Sequence, residues 1–151
     1  MWSDLRVFLR SITPTEWKRV FWCALLLAGV TTFPVVYGYV IGAMRDMVWT
    51  GRQFLAPGDT AVYLSYIEQI KQGSWLVQDW YTTEQLPATF NIFWLVVGLG
   101  ARIFSAPALI AFHVARIVLI FPLVAVVYIL ISWFFSQVRE RWCALLLTLF
   151  G

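Results

Sequence analysis

The chain alternates long uncharged runs with one polar, acidic interlude. From Val20 to Met44 there are 25 residues without a charge. A helix rises 1.5 Å per residue, so this run can cross a hydrocarbon layer of about 30 Å with some tilt. It predicts a first transmembrane helix over 20–44. Trp17, Phe21 and Trp22 mark one membrane boundary, and Trp49 lies just past the other. Pro34 predicts a kink. Residues 1–19 form a short amphipathic lead, with Arg6, Arg10, Lys18 and Arg19 against Asp4 and Glu16. Within it "SITPTEW" spells a helix start: Thr13 as N-cap, Pro14 at the first helical position and Glu16 at the third. A secretory signal peptide also begins with a basic lead and an apolar run. Here the run exceeds the about 15 residues of such a peptide, and no A-x-A-like site precedes Arg45, so an uncleaved helix is expected.

Two further uncharged runs follow. Gln85 to Ala101, containing "FNIFWLVVGLG", is a minimal second span over 85–101. Arg102 ends it, and Ser105 to Pro107 form a turn. After His113 and Arg116, residues 117–138 make a third span, with Pro122 near its start and Trp133, Phe134 and Phe135 near its end. Arg139 to Arg141, "RER", read as a turn into a fourth segment over 142–151. That run stops after ten residues, where a span needs about 20. The expected fold is therefore all-α and polytopic, one membrane domain over 1–151 that forms the N-terminal portion of a longer protein.

The interlude between the first two runs, 45–84, is where polarity concentrates. Ala56 to Pro87 hold four of the chain's eight acidic residues. "GDTAVYLSYIEQIKQG" predicts an amphipathic helix over 59–72. Asp59 stands at its N-cap, Val62, Tyr63, Tyr66, Ile67 and Ile70 make its apolar face, and Gly73 closes it. Glu68 and Lys71 can pair at i, i+3. Such a helix lies in the membrane interface instead of crossing it, and Trp75, Trp80 and Tyr81 extend that character.

Composition agrees with the pattern. The chain is 61% hydrophobic, 18% aromatic and 13% charged, against about 25% charged in soluble domains. The net charge of +3 comes from scattered residues, with no run that could track a phosphate backbone, so nucleic acid is excluded as a partner. Cys23 and Cys143 lie in apolar segments and read as small buried hydrophobes. With the N-terminus cytoplasmic, the inner face would hold the four basic residues of the lead plus Arg102 and Arg116. The outer face would hold Arg45, Arg52, Lys71, Arg139 and Arg141. The acidic interlude is then extracytoplasmic.

Asp59 is the sharpest candidate for chemistry. A carboxylate at the mouth of a membrane helix can act as general base, or ligate a cation that neutralises a phosphate leaving group. The plainer reading is an N-cap, worth about 1 kcal/mol. Asp79 and Glu84 are secondary acids for the same cavity, or members of a solvated loop. Tyr63, Tyr66, Trp75, Trp80 and Tyr81 could stack on a sugar, line a lipid groove or form an aromatic belt. His113 and Arg116 sit in apolar surroundings, where an ionisable residue is either functional or, for Arg116, snorkelling to the headgroups. The P-loop, GxGxxG, HExxH, paired CxxC and GxSxG motifs are all missing from the sequence.

A basic N-terminus, one span, a loop with "PGDTAVYLSYIEQIKQGSW" and "QDWYTTEQLP", then "LVVGLGARIF" and "HVARIVLIFPLVAVVY", resembles the N-terminal region of GT-C superfamily glycosyltransferases. The nearest types are protein mannosyltransferases and lipid A aminoarabinose transferases. The resemblance covers about residues 18–138. It implies a multi-pass protein of the bacterial inner membrane that takes a sugar from a polyprenyl-phosphate donor at the extracytoplasmic face. It implies Asp59 as catalytic base or cation-bound residue, with Asp79 and Glu84 as secondary acids, Tyr63, Trp80 and Tyr81 lining the substrate, and Mg²⁺ or Mn²⁺ as the divalent cation. Many members carry an adjacent acidic pair where this chain has Gly58-Asp59-Thr60. The matched portion by itself is expected to be inactive. Two other readings stay open: a transporter or lipid-handling protein without chemistry, and an assembly subunit that docks through the loop.

Overall fold

The computed structural model describes residues 12–48, 57–79 and 88–151. All regular elements among the described residues are helices: α1 (Pro14–Met44), α2 (Pro57–Lys71), α3 (Ile92–Ile103), α4 (Ala108–Phe134) and α5 (Val138–Phe150). The chain divides into two compact units. Met1–Thr32 with Ile117–Gly151 make the first, and Phe33–Arg116 the second.

α1 begins where the capping residues predict. Thr13 Oγ1 accepts from the Glu16 amide at 3.2 Å, and Glu16 Oε2 accepts from the Thr13 amide at 2.8 Å. This reciprocal box satisfies two of the amides that a helix start leaves without partners. α1 is 31 residues long and α4 is 27. Both are long and apolar enough to cross a membrane. Large apolar side chains stand exposed along them, among them Trp22, Phe33, Tyr39, Leu123, Leu130 and Trp133. Hydrocarbon is the solvent such surfaces fit.

Inside the first unit α1 and α4 run antiparallel. Glu16 meets Tyr128, and the Phe21 ring packs tilted against Phe121 at 5.4 Å, so rising numbers on one helix meet falling numbers on the other. Val20, Ala24 and Ala28 face Ile120, Val124, Tyr128 and Ile131, and Leu145 of α5 completes the core.

The second unit is built around α2 and α3. Ile67 and Ile70 are buried against Trp94, Leu95 and Ala101, with Val77 and Phe112 closing the cluster. Gly98 makes the approach feasible: a Cβ there would stand 2.6 Å from Ile70 Cβ and Cγ2. Three helices end in the same manner. Asp46, Gly73 and Ser105 take positive φ of 55°, 108° and 52°, and the next amide bonds back to the carbonyl five residues earlier. This is the Schellman ending, which recovers carbonyls a helix end would orphan. Gly73 closes α2 as its sequence predicts, and Ser105 to Pro107 make the predicted turn.

Several boundaries differ from expectation. α2 starts at Pro57, two residues before Asp59. Its isoleucines are covered by α3, and no membrane is needed to bury them. Among the described residues of the uncharged run 85–101, a helix begins at Ile92, and it is 12 residues long. At 1.5 Å per residue that is about 18 Å, short of the about 30 Å of a hydrocarbon core. Asn91 starts it, with its side chain accepting from the Phe93 and Trp94 amides at 3.1 and 3.2 Å. α4 begins at Ala108, so His113 and Arg116 lie inside it, and it ends at Phe134. The "RER" turn belongs to the first turn of α5.

Candidate functional site

Pro57 suits the first turn of α2, since its fixed φ is helical and its missing N–H would have had no helical partner. Asp59 follows in that same turn, exposed. Its negative charge sits at the positive end of the helix. Because α2 starts before it, Asp59 is a first-turn acid and not the N-cap.

Tyr63 and Tyr66 stand four and seven residues further on, which places Asp59, Tyr63 and Tyr66 on one face of α2 over about 10 Å. Tyr63 stacks on Trp94 at 4.7 Å and more distantly on Phe112 at 6.4 Å. The stack gives this ring a packing role. Tyr66 is half-buried, and burial first, then the charge of Asp79, and then Tyr63 push its hydroxyl pKa up. The charge of Asp79 is thus felt at Tyr66.

A second contact set holds Gln78, the residue before Asp79. Gln69 is 5% exposed, and its amide acts like a strand edge. Its Oε1 accepts from the Gln78 amide at 2.9 Å, and its Nε2 donates to the Gln78 carbonyl at 2.9 Å and to Ser65 Oγ at 3.1 Å. Val77 and Thr89 exchange both backbone hydrogen bonds at 2.9 Å. Beside this clasp opens a shallow groove of about 420 Å³ lined by Gln69, Ser74, Trp75, Leu76, Gln78 and Ala88. Glu68 and Lys71 pair at 3.2 Å on the outer face, as their spacing predicts.

Glu84, Trp80 and Tyr81 lie outside the described residues. Among the described residues no group of three or more His, Cys, Asp or Glu is placed to hold a metal ion.

A densely connected polar cluster among the described residues lies elsewhere, in the first unit. Glu16 is 3% exposed. Its Oε1 accepts from the Tyr128 hydroxyl at 2.6 Å and from Arg141 Nη1 at 3.2 Å, while Oε2 serves the Thr13 cap. Arg141 Nε donates to the Phe135 carbonyl at 2.8 Å. A group that only accepts, from four donors including a guanidinium, is an ionised carboxylate. The capping box announces Glu16, but its partners are 112 and 125 residues away. The only local signal is Arg141 standing directly before an apolar run.

His113 and Arg116 occupy the sixth and ninth positions of α4, both half-buried, with Phe112 edge-on to His113 at 5.3 Å. Comparison with known protein families, with curated proteins and with solved structures returns no match.

Proposed function

We propose that this chain is a membrane-inserted portion of a GT-C-type glycosyltransferase of the bacterial inner membrane, with Asp59 on its extracytoplasmic side. The observation that carries this reading is one exposed carboxylate in the first turn of a helix, in the segment between two long apolar helices. There Asp59 takes the proton of an acceptor hydroxyl as the acceptor oxygen bonds the anomeric carbon. The bond from that carbon to the phosphate oxygen breaks, and polyprenyl phosphate leaves with the electron pair. A divalent cation, if held at Asp59, would neutralise charge at the leaving phosphate.

The topology has its own support. Because α1 and α4 are antiparallel in the first unit, the connection between them departs from and returns to the same end. It crosses the bilayer an even number of times, and α3 is too short to cross once. Arg141 meets Glu16, so Arg139 and Arg141 lie near the start of α1 with Lys18 and Arg19, and the positive-inside rule supports a cytoplasmic assignment of that end.

Transfer from a polyprenyl-phosphate sugar by the full-length protein in membranes tests the chemistry. Asp59→Asn is expected to lower the rate about 100-fold or more; undiminished transfer removes Asp59 from the mechanism. Single cysteines at Ser74, Ser105 and Ser136, with Cys23 and Cys143 replaced by serine, test the topology. An impermeant maleimide on intact cells is expected to label the first two and spare the third. Labelling of Ser105 only after permeabilisation would restore a membrane crossing over 85–101.

One observation favours a second reading, a transporter or lipid-handling protein. His113 and Arg116 lie within α4, and ionisable residues in a span often mark a transport path. If Arg116→Gln abolishes function and Asp59→Asn does not, this reading replaces the transferase.

A further inference from the structure

α3 is the helix whose two faces differ most. One face, Trp94, Leu95, Gly98 and Ala101, is buried. The other shows Ile92, Phe93, Val96 and Ile103, with Phe104 just beyond, and Val96, Ile103 and Phe104 are 64%, 76% and 82% exposed. The sole charge of α3, Arg102, does not interrupt this face. Its guanidinium reaches over the end of α2, where Nη1 would stand 3.6 Å from a Cβ added to Gly73. An apolar face this wide on so short a helix has no counterpart on α2, whose isoleucines are covered.

The surroundings identify what covers it. Within the second unit Trp94 of α3 stacks on Phe112 in the first turns of α4, at 6.2 Å. Four residues, 104–107, join the two helices. α4 is about 40 Å long, so its first turns can stand at the boundary of a hydrocarbon core of about 30 Å. Their exposed residues there, Ile110 and Val114, are apolar too. α3 is therefore tied, through the Trp94–Phe112 stack and a four-residue link, to the first turns of a helix whose exposed side chains fit lipid.

We infer that α3 is a monotopic helix, its outer face of Ile92, Phe93, Val96, Ile103 and Phe104 seated in the lipid at the headgroup–acyl boundary. The inference rests on the membrane reading of α1 and α4, and is independent of the transferase chemistry. It gives the second unit a fixed depth: α3 lies on the bilayer and holds α2 through Gly98 and Ile70.

The test uses the full chain with Cys23→Ser and Cys143→Ser and one cysteine at Val96, Ser74 or Val126, labelled with an environment-sensitive fluorophore. The protein is reconstituted in vesicles of phosphatidylethanolamine and phosphatidylglycerol. At Val96 the expected result is emission blue-shifted from that at Ser74, quenching by lipid with a shallow doxyl group, and protection from aqueous iodide. Iodide quenching at Val96 equal to that at Ser74 overturns the inference. Protection from iodide and doxyl lipid alike also overturns it, because protein would then cover the face. Val126 separates the two failures: if deep-doxyl lipid does not quench it, the membrane reading itself is lost.

Discussion

The two units hold their helices together by different physics. In the first, α1, α4 and α5 meet at a buried carboxylate that gathers a tyrosine, a guanidinium and a helix cap. In the second, α2 and α3 meet over a glycine with isoleucines and stacked aromatics, and one buried amide clasps the following loop. Under the proposed topology the contrast has a reason. Lipid tails are as apolar as leucine, so apolar burial alone does little to join two spanning helices, and close packing and polar contacts must do it. α2 faces water, where burying isoleucine is itself favourable by about 1.5–3 kcal/mol per side chain. The cost of the polar latch is its fragility, since every partner depends on the others.

Substitutions can break this contrast in order of expected size. The largest effect belongs to Glu16→Ala, which leaves Arg141 buried without its counter-charge and should cost about 3–5 kcal/mol. Unfolding in mixed detergent micelles would measure it. Glu16→Met combined with Arg141→Met should recover much of that loss, because no lone charge remains; equal losses in the single and double variants would show that the pair is not a unit. Next comes Gly98→Ala in the second unit. Its Cβ would press into Ile70, at a cost of about 1–3 kcal/mol. A neutral outcome in the same unfolding measurement would mean that α2 and α3 are not held at this distance.

Smaller effects sharpen the comparison further. Gly73→Ala forces a side chain into a left-handed position and should cost about 1–2 kcal/mol. Gln69→Leu removes the acceptor for the Gln78 amide, about 1–3 kcal/mol locally, and should raise hydrogen exchange at Gln78 before that of α2 itself. Lys71→Ala should change stability by less than about 1 kcal/mol and lose even that in high salt, because the Glu68 side chain it pairs with is 45% exposed. The Glu16–Arg141 contact, 4% and 9% exposed, should resist the same salt.

Asp59 illustrates how far a candidate site can be read along the chain. Its place at a helix start between two apolar runs is plain from "PGD" and the periodicity that follows. That Tyr63 and Tyr66 share its face is plain from spacing. That Asp79 comes to Tyr66 is not, because a fold-back after Gly73, held by Gln69 and the Val77–Thr89 bridge, brings it there. The run 85–101 shows the opposite case. Hydropathy alone reads it as a span, yet the helix is 12 residues long, because Asn91 starts it late and its inner face is taken by α2.

The sequence by itself determined the helical class, the two long apolar helices, the Thr13–Glu16 cap, the Gly73 ending and the Glu68–Lys71 pair. Each of these is settled by residues within a turn or two, or by apolar length, and such interactions are encoded locally. Only the tertiary structure decided that Glu16 also binds Tyr128 and Arg141, that α1 and α4 are antiparallel, and that α2 buries its isoleucines under α3. Those outcomes join residues up to 125 positions apart. They depend on which faces meet, and no local pattern specifies a face's partner.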